Sequence, residues 1–276
     1  MVPDGILGCS QEGAEHMQLK GQVAIVTGGG RGIGGAIARR FAVEGAAVVV
    51  TARSVAEIEG VAKEIEAAGG RAVAVKADVS QEAHAEKIVR AAREAFGAIH
   101  ILVNNAGVYG PVQPAEMITP AEWDEVIAVN LRGPFLMSRL VLPEMYERGS
   151  GAIVNITSIA AKAAFSLNSP YAASKAGLMG LTRTLAAEAA RKGVRVNAVS
   201  PGPVPETKMS QELGRGLAKY LQMDGEQLFK GMLQGILQGR PQTVDEIAAA
   251  ALFLVTDASS AITGQILNVD GGMAFC

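Results

Sequence analysis

Aromatic residues are scarce in this chain, at 4 % against 49 % hydrophobic residues overall. The apolar share is carried by Ala, Val and other small or β-branched residues. That balance suits an α/β fold, in which short strands pack under small-residue helices. Only two cysteines are present, Cys9 and Cys276, at the extreme ends of the chain. Nothing demands a disulfide between them, and two free thiols in a reducing cytoplasm are expected. Basic runs are missing and the formal net charge is -2, so the electrostatic footprint of nucleic-acid binding is absent. The longest apolar run, Ile247–Val255, is too short to span a bilayer and reads as a buried helix face. The opening MVPDGILGCSQEGAEH lacks a basic region followed by a continuous apolar one, so it is not a secretory signal.

What is present is a regular alternation. After a Gly-rich, aperiodic stretch up to Met17, expected to be disordered or loosely draped, short apolar runs alternate with longer amphipathic ones. The strand-like runs are Val23–Thr27, Ala47–Thr51, Ala72–Lys76, Ile99–Asn104, Ala152–Thr157, Val194–Val199 and Gln265–Val269. Helical patterns separate the first six. Such repetition builds a single-domain, Rossmann-type doubly wound parallel sheet of about seven strands with helices on both faces. Ligands then bind at the carboxyl ends of the strands. No linker splits the chain, so 18–276 reads as one dinucleotide-binding catalytic domain. One long insertion, near 206–240, carries scattered glycines on a weak helix pattern. It reads as a mobile lid over a ligand site.

The first strand runs straight into Gly28, Gly29, Gly30, Arg31, Gly32, Ile33 and Gly34, and then into an Ala-rich helix. Glycines let the chain turn sharply and let phosphates approach without a Cβ in the way. The helix start offers unpaired N–H groups to a pyrophosphate. A G-x-G-x-x-G pattern also matches, at Gly30, Gly32 and Gly35. We read that match as accidental and take the functional spacing as Thr27-Gly28-x-x-x-Gly32-x-Gly34.

The segment Thr27–Gly34 (TGGGRGIG) resembles the cofactor turn of the short-chain dehydrogenase/reductase family. Further matches follow in the family's order: Asp78-Val79, Asn104-Asn105-Ala106-Gly107, Asn130 in AVNLRGPF, Ser158, Tyr171-Ala-Ala-Ser-Lys175, Pro201-Gly202, and Val269-Asp-Gly-Gly near the C-terminus. Each is weak alone; in register from about Gln18 to Gly272 they are very specific. The resemblance, closest in pattern to 3-oxoacyl-[acyl-carrier-protein] reductases, implies a carbonyl–alcohol oxidoreductase using NAD(P)(H). It also implies a homotetramer, with a dimer as the lesser alternative. No metal, nucleic acid or membrane partner is expected.

Carbonyl reduction needs a hydride at carbon and a proton at oxygen, and the hydride belongs to the cofactor. Tyr171 and Lys175 are four apart on an expected helix and so share a face. A nearby ammonium favours the phenolate, so the tyrosine can serve as acid in reduction and base in oxidation. By resemblance, Ser158 hydrogen-bonds the substrate oxygen and Asn130 holds a water that links Lys175 to solvent. The resemblance also implies that Asp78 and Val79 meet the adenine. Asn105, Ala106 and Gly107 pass the ribose, while Asn104 is mainly structural. Gly28, Gly30, Arg31, Gly32, Ile33 and Gly34 cradle the pyrophosphate side. Pro201, Gly202, Val204 and Thr207 lie on the nicotinamide side, Thr207 one residue later than the family's usual threonine.

The second strand ends in Thr51, Ala52, Arg53 and Ser54. No carboxylate stands there to bind both ribose hydroxyls; the nearest, Glu57, belongs to the next helix. Arg53 offers a fork of donors to a phosphate, and Arg31 can clamp its other side. NADP(H) is therefore expected over NAD(H). The substrate is poorly specified. Phe165, Leu167, Met209, Leu213 and Met232 suggest a partly apolar wall, with Lys162 and Arg215 either meeting an anion or solvated. Reduction of a 3-oxoacyl thioester or similar ketone leads. Polyol, hydroxy-acid or other secondary-alcohol dehydrogenation is close behind, and a non-enzymatic dinucleotide sensor is the distant rival.

Overall fold

The computed structural model describes residues 17–275. The residues up to 16 and Cys276 lie outside it, and with them nearly all of the expected N-terminal extension and both cysteines. Seven strands form one parallel sheet: β1 (Val23–Thr27), β2 (Ala47–Ala52), β3 (Arg71–Lys76), β4 (Ile101–Asn104), β5 (Gly151–Ile156), β6 (Val194–Pro201) and β7 (Ile266–Val269). Their order is β3-β2-β1-β4-β5-β6-β7. The chain winds outward from β1 to one edge, then returns to β4 and winds to the other. The crevice at this reversal, between β1 and β4, is where a doubly wound sheet binds its ligand.

The inner strands β1, β2, β4, β5 and β6 are buried on both sides and alternate their allegiance. Ala24 and Val26 of β1 and Val48 and Val50 of β2 pack under α1 (Gly32–Val43), α2 (Val55–Ala67) and α9 (Val244–Val255). Ile25, Val49, Leu102 and Ile153 pack under α3 (Glu82–Phe96), α5 (Gly133–Arg148) and α6 (Ser169–Ala189) on the other face. Burying both faces explains the near-continuous β-branched runs.

Helix starts follow local chemistry. Thr119 opens α4 (Pro120–Ile127), and its hydroxyl and Glu122 close a reciprocal capping box; Thr243 and Glu246 do the same at α9. Between α4 and α5 the residues Ala128–Arg132 form a π-helical turn, so helical structure runs unbroken from Pro120 to Arg148. This 29-residue stretch is long and apolar enough to cross a membrane, but 56 % of its most apolar window is buried inside the fold. A tight wrap of apolar helix on sheet accounts for it.

The 206–240 segment is more ordered than its glycines suggest. It folds into α7 (Lys208–Leu221) and α8 (Gly225–Gln234), started by the side-chain caps of Thr207 and Asp224. Neither helix has a buried residue. Gly216 lets α7 come close to the loop after β4: a Cβ there would stand 2.9 Å from Val112 Cγ2.

Candidate active site

The Gly-rich turn is held by β4. Thr27 Oγ1 accepts from the backbone N–H of Asn105 at 3.0 Å and of Ala106 at 3.1 Å. The Asn105 amide donates back to the carbonyls of Thr27 at 2.9 Å and Gly28 at 3.1 Å. Gly28 has φ +63°, and a Cβ on it would lie 2.9 Å from Ala106 Cα. A Cβ on Gly34 would run into both Asn105 and the Gly28 carbonyl. Gly35 by contrast has room, its nearest neighbour being the flexible end of Arg39 at 3.1 Å. Gly28 and Gly34 have no room for a Cβ, and Gly32, the third glycine of the spacing taken from the sequence, has φ +52°. Arg31, the residue before α1, spends no side-chain hydrogen bond on capping it. The first N–H groups of that helix stay open to an anion.

Beside this turn lies a cavity of about 690 Å³, within the range of small-molecule and cofactor sites. Gly28, Gly30, Arg31, Gly32, Ile33, Gly34, Arg53, Asp78, Val79, Asn105, Ala106, Gly107 and Thr207 all line it. An open helix start, a cradle with no room for side chains and a cleft of this size fit a dinucleotide. Four expected residues, Arg31, Pro201, Gly202 and Val204, are placed differently. Arg31 donates to Glu57 Oε1 at 2.6 Å, so its guanidinium is already engaged by a carboxylate in the cavity wall. Sequence reading set Glu57 aside because it belongs to α2, but the first turn of that helix returns it beside the β2 end. Gly202 packs against Asp270 and Gln242, which a Cβ would strike, and like Pro201 and buried Val204 it stays out of the cavity wall.

The Asp78 carboxylate accepts from the N–H and hydroxyl of Ser80, at 3.0 and 2.8 Å. Asn104 is structural, as expected: its amide donates to Asn155 Oδ1 at 2.8 Å, and Asn155 donates onward to Thr182 at 2.9 Å. Thr207 caps α7 and donates to the Val204 carbonyl at 2.9 Å, so its hydroxyl is locally committed. Met209 and Leu213 line the cavity, whereas Lys162 donates to Asn268 Oδ1 at 2.6 Å, away from the anion role considered for it.

Ser158, Tyr171, Lys175 and Asn130 come together from three elements: the end of β5, the first turns of α6, and the π turn. The Ser158 hydroxyl reaches the Tyr171 phenol, and Lys175 Nζ stands 5.7 Å from its ring centre. Nζ donates to the Ile156 carbonyl at 2.8 Å. Burial dominates the electrostatics. It pushes the Tyr171 phenol up to about 12, with Ser158 pulling the other way, and pulls the Lys175 ammonium down to about 8. The tyrosine thus moves up, against the lowering expected from the sequence, and the only group acting downward on it is Ser158. The Asn130 amide donates both hydrogens, to the Val108 carbonyl at 2.8 Å and to Ser174 at 3.0 Å. Any water held at Asn130 rests on its main chain, which the π turn opens.

Sequence reading missed Tyr109. Its ring lies 4.7 Å from that of Tyr171, tilted by 30°, and it lines the cavity while Tyr171 does not. Among the described residues no cluster of potential ligands could hold a metal ion.

A doubly wound sheet with an anion cradle at its switch point and a Ser–Tyr–Lys cluster beside it defines a dinucleotide-dependent oxidoreductase. The family profile described as short chain dehydrogenase matches residues 22–218, and the chain belongs to that family. Among its relatives, a D-threitol dehydrogenase of Mycolicibacterium smegmatis is 40 % identical, covering 92 % of this chain and 94 % of the relative. A 3-oxoacyl-[acyl-carrier-protein] reductase of Thermotoga maritima is 36 % identical over 93 % of this chain and 99 % of the relative. The crystal structure of levodione reductase superposes with a TM-score of 0.88 at 36 % identity, covering 92 % of this chain and 98 % of that one. The protein is an oxidoreductase that interconverts carbonyls and alcohols with a nicotinamide cofactor.

Proposed function

We propose that this chain reduces ketones with NADPH, with Tyr171 as the general acid. The observation that carries the reading is the cluster itself: the Ser158 hydroxyl lies on the buried Tyr171 phenol, and Lys175 Nζ stands 5.7 Å from its ring centre. The phenol placed there can donate a proton in reduction, and its phenolate can take one back in oxidation. Its Oη gives the proton to the carbonyl oxygen, and Ser158 steadies that oxygen. The Lys175 ammonium, anchored on the Ile156 carbonyl, restores the proton. Bound NADP(H) supplies the hydride. Arg53, exposed at the cavity rim, offers a donor fork to the 2′-phosphate.

3-Oxoacyl thioesters head the substrate classes, supported by the reductases of that name among the relatives. A second class, hydroxylated ketones and polyols, is favoured by the polar pair Tyr109 and Asn168 argued below. α7 and α8, with no buried residues, act as the lid over the cavity. Trp123 and Phe135, both large and exposed on the α4–α5 stretch, support packing into a homotetramer. The protein works in the cytoplasm.

The test is NADPH oxidation against β-keto esters, diketones, ketoses and 2-oxo acids. At least one class is turned over, and Tyr171→Phe removes that turnover by a factor of about a hundred or more. Unchanged turnover in Tyr171→Phe would sink the mechanism. No turnover of any class by the wild type would instead support a dinucleotide sensor.

A further inference from the structure

Asn168 begins α6, three residues before Tyr171, and it is an anomaly in three respects. Asparagine is among the best helix N-caps, yet its side chain makes no capping hydrogen bond. The residue before it, Leu167, has φ +68°, one of two non-glycine residues with positive φ among the described residues. That is a strained conformation for a γ-branched side chain, and such strain persists where the surroundings hold it. Asn168 is 2 % exposed, and its Oδ1 is buried with no hydrogen-bond donor. An orphaned buried acceptor forfeits the hydrogen bonds it would make to water.

The backbone is thus bent, at a cost, to turn an amide inward rather than onto its own helix. There the side chain reaches the hydroxyl of Tyr109. Tyr109 in turn stacks on Tyr171 and lines the cavity. It sits between Gly107 and Gly110, and Gly110 has φ +81° with Val126 Cγ2 only 2.6 Å from where a Cβ would be. The loop after β4 is shaped to place this ring.

We propose that Asn168 and Tyr109 form a second polar anchor beside Tyr171, which takes a hydroxyl group carried next to the reacting carbonyl. The free group is an acceptor, Oδ1, so it wants a donor. A thioester or a second ketone offers none; an alcohol does. The Tyr109 hydroxyl can accept from or donate to the same group. The ligand class is an α-hydroxy ketone in reduction, or a vicinal diol in oxidation. This rests on the reading of Tyr171 as the site of reduction and narrows its substrate.

The experiment compares hydroxyacetone with acetone, using NADPH and three variants: Asn168→Ala, Tyr109→Phe and Tyr171→Phe. Wild type prefers the hydroxylated ketone. The ratio of the two kcat/KM values falls about tenfold in Asn168→Ala, the effect of one lost neutral hydrogen bond. It falls several-fold in Tyr109→Phe, which keeps the stacked ring and loses only the hydroxyl. A purely structural role would lower both substrates alike and leave the ratio where it was. An unmoved ratio in both variants, or no preference in wild type, overturns the anchor. If Tyr171→Phe still abolishes turnover, the reduction reading stands without it. Activity that survives Tyr171→Phe overturns both.

Discussion

The Arg31 guanidinium meets the Glu57 carboxylate at 2.6 Å in the wall of the cofactor cavity, four residues beyond Arg53. Both side chains are partly exposed, so the pair itself contributes little stability. Its consequence is for selectivity. Glu57 places a negative charge beside the β2 end, where a 2′-phosphate would arrive, and holds back a guanidinium that could serve that phosphate. Glu57→Gln keeps the shape and removes the charge. The ratio of kcat/KM for NADPH to that for NADH is expected to rise about two- to fivefold, as suits a solvent-screened charge. The gain shrinks at high salt. A ratio that stays level or drops, read from steady-state kinetics with both cofactors, argues against Glu57 as a determinant.

Adjacent glycines on α1 have opposite requirements. A Cβ on Gly34 collides with the Asn105 amide and the Gly28 carbonyl, neither of which can move without undoing the link between the turn and β4. Gly34→Ala is therefore expected to cost several kcal/mol, or about as much as a buried hydrogen-bond network, and to weaken NADPH binding. Gly35→Ala meets only the end of Arg39 and relieves a helical glycine. It should raise stability by roughly 0.5–1 kcal/mol in urea denaturation, with NADPH affinity unchanged. Equal effects of the two substitutions would contradict the spacing assigned to the turn.

The contrast between these glycines marks what the sequence shows plainly and what it hides. Strand positions were legible because the inner strands are buried on both faces and read as β-branched runs; only the ends shifted, as at β4, where Ile99 and His100 precede the ladder. The Ser158, Tyr171, Lys175 and Asn130 set was legible as a pattern of residue types at family spacing. Three things were not. Glu57 returns to the β2 end only through the geometry of a tight turn. Tyr109 lies on a loop whose course Gly107 and Gly110 set, and nothing periodic announces it. The direction of the Tyr171 shift depends on how completely the cleft is buried, which a four-residue spacing cannot reveal. The segment 206–240 holds two capped helices where the sequence offers only a weak helix pattern among glycines.

The polar chain under the site ties three elements together. Asn155, fully buried on β5, accepts from Asn104 of β4 and donates to Thr182 of α6. Asn155→Ala leaves the Asn104 amide only a long contact to Ser138 Oγ at 3.4 Å and opens a small void. The expected loss is about 2–3 kcal/mol, seen as a lower urea midpoint with an unchanged slope. The double substitution with Asn104→Ala should cost less than the sum of the two singles, because the poorly paired partner is gone. Simple additivity would mean that the pair does not couple.

Lys175 carries a stability cost that pH should expose. Burial lowers its native value from 10.5 to about 8. Below pH 8 the native state must carry a desolvated ammonium, and the full penalty is present. Between about 8 and 10.5 the native lysine is neutral while the unfolded chain still takes up the proton. The unfolded state then binds more protons, so this group's contribution to wild-type stability improves as pH rises. Lys175→Met removes the titration. The variant should be inactive and more stable than wild type near pH 6.5, by up to about 3 kcal/mol less whatever the lost bond to the Ile156 carbonyl returns. That advantage should shrink by about 2 kcal/mol by pH 9.5. The lost bond affects both pH values equally, so the change with pH isolates the charge. Urea denaturation of both proteins at the two pH values decides it: a stability difference that does not move with pH would mean that Lys175 is not held near 8 by burial.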